Sequence, residues 1–311
     1  MDTRILTQLN QQSRSAAHRH AELRVLLEAG QLAPDKLWIT ESISHLAYAP
    51  FFKDLTPEER LTYNHLFALT TVEQFIFFEG QITPMLHADR LEARGEKFEA
   101  PEREALITFD REEREHVEMF QAWLKLAARK YPLGRVFEKT PATQWIVEMI
   151  FKRPRFLIFW TVALMYVEER TTILSRRMLK EANMDEVSLE MHEKHLKDEM
   201  RHLVLTDELL KGYWDPAPKW LKRLNLWILK AFFYQVFFKS YSARHTFKAL
   251  LKYHPRLEKY QNEFDQFIED LPNNRAYLSQ MFSAEASPRL FQALSARPEF
   301  AGIMSFLRLE R

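Results

Sequence analysis

Two Glu-x-x-His motifs, Glu113/His116 and Glu199/His202, each follow a glutamate that closes an apolar run, Glu79 in the first case and Glu168-Glu169 in the second. This repeated order constrains the fold more than any other feature of the chain. The motifs alone say little, because 32 Glu and 11 His in 311 residues yield about one such match by chance. Spacing carries the argument. Glu79 lies 34 residues before Glu113, and Glu169 lies 30 before Glu199. Those are the separations expected of residues facing each other across helical hairpins.

Breakers and caps place the helices. Residues 3–29 read as helical and stop at Gly30 and Pro34. Thr56-Pro57-Glu58-Glu59 is a strong start, with a capping threonine, a proline at the first helical position and a glutamate three residues after the cap. That helix is expected to run to about Arg94 and stop at Gly95. Pro101 opens a second helix that ends near Tyr131-Pro132-Leu133-Gly134, and Thr140-Pro141 starts a short one. Pro154 opens a third long helix to about Ala182, and Asp185 caps a fourth that reaches Tyr213. Asp215-Pro216-Ala217-Pro218 breaks the chain clearly. Beyond it come an aromatic helix over about 218–252 and shorter ones punctuated by Pro255, Pro272 and Pro298. Two hairpins with one longer crossover describe a four-helix bundle. The expectation is one all-α domain, 1–311, with a ferritin-like four-helix core at 56–213. A helical extension at 1–55 precedes the core, and a helical cover at 218–311 follows it.

Helix rise makes the site testable. Glu169 and Glu199 both lie roughly 20 Å from the turn at 183–185, so they sit level across the hairpin. Within each motif, i and i+3 share a helix face, so Glu and His point the same way. A Glu from each of two helices and a Glu-x-x-His from each of the other two is the ligand set of ferritin-like di-iron carboxylate bundles. Four carboxylates neutralise two divalent ions, and carboxylates with imidazoles suit Fe or Mn. Glu79 is the hardest to explain otherwise, because apolar residues flank it and an unpaired buried carboxylate is costly. Glu169 is preferred over Glu168 as the ligand from the third helix, since its face also carries Val162, Met165, Tyr166 and Ile173. The first motif alone could instead be a solvated face, Asp110 to Glu115 being rich in charge. The acidic residues before each motif, Glu112 and Asp198, sit where each could orient the opposite hairpin's histidine. Pro84 clashes with the carbonyl of Gly80 and is expected to kink or bulge the helix just past Glu79.

A third histidine, His195, lies four residues before Glu199 on the face shared with His202. It can reach the metals, while His192, a turn further back, reads as a neighbour or pocket residue. The set Glu79, Glu113-x-x-His116, Glu169 and His195-x-x-x-Glu199-x-x-His202 resembles that of the p-aminobenzoate N-oxygenase family of di-iron enzymes. The segments His45-Leu-Ala-Tyr-Ala-Pro-Phe-Phe and Leu55-Thr-Pro-Glu-Glu-Arg-Leu add to the resemblance, which covers roughly 40–215. The first motif departs from the family pattern in reading Glu-Glu-x-x-His rather than Asp-Glu-x-x-His. The resemblance implies seven ligands for two Fe ions, with no catalytic side chain beyond them. It also implies O2 activation through a peroxo-level di-iron oxidant and N-oxygenation of an aryl or other amine.

Two other functions compete. The same metals could support C–H hydroxylation or desaturation of an apolar substrate, or the protein could be a non-enzymatic iron-binding or storage protein. Phe75, Phe78, Met165 and Tyr166 could line a pocket near the metals or be plain core. No basic residue marks a carboxylate position, so the substrate reading stops at an apolar or aromatic amine. With no cysteines and no nucleotide-binding glycine loop, electrons must come from a separate donor. The net charge of +1 gives no case for nucleic acid. The start of the chain lacks the apolar stretch of a signal peptide, which with the missing cysteines points to the cytoplasm. Two apolar runs, Phe156 to Val167 and Leu224 to Phe238, fall short of the roughly 20 residues a span needs, so membrane association is not expected. A surface-lying amphipathic helix is the alternative for the second run. The aromatic helix beyond 218 is expected to cover the bundle or form a homodimer interface.

Overall fold

The computed structural model describes residues 1–16, 19–84, 99–137, 158–234 and 241–307. Among them it is all-α, with one isolated bridge, Leu37 to Met184, in place of any strand. The helices are α1 (Thr3–Ala16), α2 (Arg19–Ala29), α3 (Pro57–Phe77), α4 (Ala100–Ala127), α5 (Trp160–Met178), α6 (Glu186–Leu209), α7 (Lys219–Phe233), α8 (Tyr241–Tyr253), α9 (Gln261–Asp270), α10 (Arg275–Met281), α11 (Pro288–Ser295) and α12 (Ala301–Leu307). The expected stop at Arg94-Gly95, the Thr140-Pro141 start and the Pro154 start lie outside the described residues, as does the join between α7 and α8.

The sequence's start signals act as read. Thr56 and Glu59 form a reciprocal capping box at α3, each bonding the other's backbone. Asp185 caps α6 by accepting from Ser188 N–H at 2.7 Å. Its other oxygen accepts from Ala33 N–H, so the α5–α6 turn is also tied to the segment after α2. Backbone bonds between Leu37 and both Asn183 and Asp185 complete that tie. The α5–α6 hairpin is the most closely packed pair, and α4 packs on both α3 and α6.

Single polar side chains hold irregular segments against the helices. Asn64 of α3 accepts from Trp38 N–H and donates to the Ile39 carbonyl. Asn225 of α7 accepts from the N–H groups of Ile158 and Phe159, closing the start of α5. His65 stacks on Trp38 at 4.0 Å and bonds the Tyr131 hydroxyl and the Lys36 carbonyl. It thereby joins α3, the residues after α4 and the N-terminal segment. Trp38, Trp123, Trp160 and Trp214 are all fully buried, which spreads large apolar surfaces through one continuous core.

Burial lowers His65 from the usual 6.5 to about 3, with the Lys130 charge adding to that and the Lys36 carbonyl opposing it. The folded state therefore refuses a proton that the unfolded chain accepts. Stability from neutral His65 is intact above about pH 6.5 and erodes as pH falls toward 3. At neutral pH, His65→Gln is expected to be less stable than the wild type because it loses this packing. That gap should narrow by on the order of 1–2 kcal/mol at pH 5. Denaturant midpoints at the two pH values read this directly, and a gap independent of pH would contradict it.

Candidate metal centre

The helix that carries Glu79 is irregular at that residue. α3 passes into a π-helical turn at Phe78–Ile82, and Thr83 N–H bonds the Phe78 carbonyl five residues back. Pro84 has no N–H to offer the Gly80 carbonyl, so the register slips just past Glu79. Gly80 lets the widened turn lie against α4: a Cβ there would sit 3.1 Å from Val117.

Three segments deliver their side chains to one buried place. The turn after α3 brings Glu79; α4 brings Glu113 and His116; α6 brings His195, Glu199 and His202. Ligand atoms of Glu113, His116, Glu199 and His202 lie within 4.8 Å of one another, and so do those of Glu79, His116 and His195. The two groups meet at His116, so they form one contiguous cluster. His116 Nδ1 lies 3.6 Å from Glu79 and 3.4 Å from Glu199. His195 Nε2 lies 2.9 Å from Glu199 and 3.5 Å from Glu79. His202 Nδ1 lies 3.0 Å from Glu113.

These short contacts are not a hydrogen-bond network. Both carboxylate oxygens of Glu113, both ring nitrogens of His195, His202 Nδ1, Glu199 Oε1 and Glu79 Oε2 are buried without a bond of acceptable geometry among the described residues. Buried polar atoms are almost always satisfied, so this many orphans aimed at one centre fit a donor set waiting for cations. The electrostatics agree. Burial, then the neighbouring Glu79 charge, push Glu113 up to about 7. His116 and His202 are held well above their usual value, because the carboxylates around them overcome the penalty of burial.

On α5 it is Glu168, not the preferred Glu169, whose carboxylate lies at the cluster. Glu168 lies 3.6 Å from His202 Nδ1, and burial followed by Glu199 pushes its carboxyl well up. Glu169 is turned away by its position on the helix, and its two oxygens accept from Arg289 N–H at 2.7 Å and Leu290 N–H at 2.8 Å. It closes the N-terminus of α11, where exposed amides and the helix dipole favour an anion.

Glu112 and Asp198 cross the bundle as the sequence suggested. His116 Nε2 meets Asp198 at 3.2 Å, and His202 Nε2 meets Glu112 at 3.0 Å. Each contact directs the ring's Nδ1 to the centre. Burial would raise Glu112, but the bond and charge of His202, helped by Arg201, take it to about 2. Arg201 was not singled out from the sequence. Its Nη2 donates to Glu112 at 2.7 Å and to Asp198 at 2.6 Å, so one guanidinium holds both orienting carboxylates. The available signal was its position three residues after Asp198, on the same helix face.

The proposed pocket residues divide. Phe75 and Phe78 line a cavity of about 60 Å³ with Gln74, Arg170, Tyr277 and Phe282. The Phe75 ring lies 5.9 Å from that of His195, so the cavity abuts the centre. Met165 lines a different, salt-bridged groove beside Arg289 and Arg297, and Tyr166 is packed flat on Phe282. Neither of these two lines the cavity at Phe75. His192 stays beside the centre, bonded to Ser175 Oγ at 3.3 Å. Arg170 is the basic residue that the sequence reading did not find.

Metal analysis separates the adjacent glutamates. Glu168→Ala is expected to lower bound metal by half or more. Glu169→Ala should keep its metal and instead lose about 1–2 kcal/mol of stability by uncapping α11. The reverse pattern would return Glu169 to the centre.

The model of the p-aminobenzoate N-oxygenase AurF family matches residues 7–283. No curated protein matches the chain significantly. The match takes in the turn with Glu79, both motifs, Glu168 and the cavity wall as far as Phe282. A ferritin-like di-iron family and a buried Glu/His cluster able to hold metal thus coincide in one chain. The chain belongs to the p-aminobenzoate N-oxygenase family of enzymes.

Proposed function

We propose that this protein is a non-haem di-iron N-oxygenase acting on an aryl or other amine. The observation that carries the reading is the pair of buried donor groups that share His116, gathered within the span that matches the family. Glu79, Glu113, Glu168 and Glu199 would hold the irons with His116, His195 and His202, and Mn could substitute. The two ferrous ions, when bound, would supply two electrons to O2.

The chain's own residues do the rest. Asp198 and Glu112 keep the Nε2 protons of His116 and His202, so both rings present Nδ1 to the centre. Arg201 compensates those two carboxylates and locks their geometry. Phe75, Phe120 and Phe109 pack against His195 and His202 and exclude water from the reacting space. Phe75 and Phe78 offer apolar walls to a substrate. Arg170, in the same cavity, favours an amine that also carries an anionic substituent. Oxidising the amine to a hydroxylamine places one oxygen atom on nitrogen and releases the other as water. Each such turnover consumes two electrons and two protons from a separate donor protein.

C–H hydroxylation by the same metals is the competing chemistry. Reduced, iron-loaded protein mixed with O2 and p-aminobenzoate or an uncharged aniline tests the choice. N-oxygenated product is expected, with the acid favoured, and Arg170→Leu should remove that preference by roughly tenfold or more. Ring- or side-chain-hydroxylated product with nitrogen untouched would favour the competitor. Iron-loaded protein that turns over no substrate and takes up many irons per chain would favour storage.

A further inference from the structure

Helix α7 buries one face and leaves the other bare. Leu221, Asn225, Ile228, Leu229, Phe232 and Phe233 are buried. Trp220, Leu224 and Trp227, at helical spacing on the opposite face, are 58%, 43% and 71% exposed, and Tyr234 continues the stripe at 45%. Trp38, Trp123, Trp160 and Trp214 are fully buried, so among the described residues the exposed tryptophans are those of this helix.

The charge around the stripe has one sign. No acidic residue occurs between Asp215 and Glu258, whereas nine Lys and Arg do. The whole chain carries a net charge of only +1, so this segment concentrates positive charge. Lys222 pairs with Glu299. Lys219, Arg223 and Lys230 make no ion pair among the described residues, and Asp215, the nearest acid in sequence, is taken by Arg297.

We propose that α7 is a membrane-surface helix that seats Trp220, Leu224 and Trp227 in the interface of a bilayer containing anionic lipid. Amphipathic helices with aromatic and leucine residues on one face and Lys or Arg beside them lie in that plane, with the apolar face in the headgroup boundary. At fifteen residues α7 is about 22 Å long, too short to span, and no described helix is long and apolar enough to cross. A second copy of the chain is a poorer occupant. A twofold interface would bring Arg223 and Lys230 against the same cations of the partner, and like charges there repel.

Co-sedimentation of the full-length protein with vesicles tests this. Binding is expected to vesicles of phosphatidylcholine mixed with phosphatidylglycerol. It should weaken tenfold or more on phosphatidylcholine alone, or when salt rises from about 0.1 M to about 1 M. Trp220→Ser/Trp227→Ser should lose binding tenfold or more. Arg223→Gln/Lys230→Gln should lose roughly fivefold per cation. Both pairs are exposed, and circular dichroism and metal content check that the variants fold. Equal sedimentation with both vesicle types, or wild-type binding by both variants, overturns the proposal. So does light scattering that shows a dimer dissociated by the tryptophan variant.

Discussion

Placing four carboxylates and three imidazoles in one dry volume is unfavourable unless positive charge arrives with them. Glu79, Glu113, Glu168 and Glu199 are each no more than 4% exposed, and His116, His195 and His202 lie among them. Every element that surrounds this place is shaped by it. The π turn at Phe78–Ile82 exists where Glu79 must be aimed inward, and α6 devotes three side chains of one face to the centre. Two divalent ions would neutralise the four carboxylates and leave the imidazoles neutral, offsetting the burial and the mutual repulsion that push Glu113 and Glu168 upward.

Around that centre the protein adds a compensated outer layer. Asp198 and Glu112 each serve the histidine of the opposite hairpin, and Arg201 spans both. Arg201 is anchored in turn by Ser13 of α1 and the Lys197 carbonyl. The N-terminal helix is therefore connected to the donor geometry through one side chain. The C-terminal helices are connected through another, because Glu169 reaches from the centre's own helix to the start of α11.

Much of this was legible in the sequence because it rests on local rules. The Thr56–Glu59 capping box, the Asp185 cap and the disturbance before Pro84 depend on residues within a turn or two. The crossing of Glu112 and Asp198 followed from helix periodicity and level placement. What sequence could not resolve depends on distant partners. Glu168 and Glu169 are adjacent and both buried, and the amides that claim Glu169 lie 120 residues away. Tyr166 stacks on Phe282 and Met165 lines the groove beside α11, again through residues far along the chain. Arg170 follows the same logic, since the cavity it lines is completed by Tyr277 and Phe282, far along the chain.

In the proposed centre seven side chains hold two irons, with Glu168 rather than Glu169 among them. A crystal of the iron-loaded protein, with diffraction collected at the iron absorption edge, tests it most directly. Two anomalous peaks are expected, one bordered by Glu79, His116 and His195 and the other by Glu113, Glu168, Glu199 and His202, with Glu169 still on the Arg289 and Leu290 amides. A single peak, or Glu169 swung in beside the metal, would contradict it.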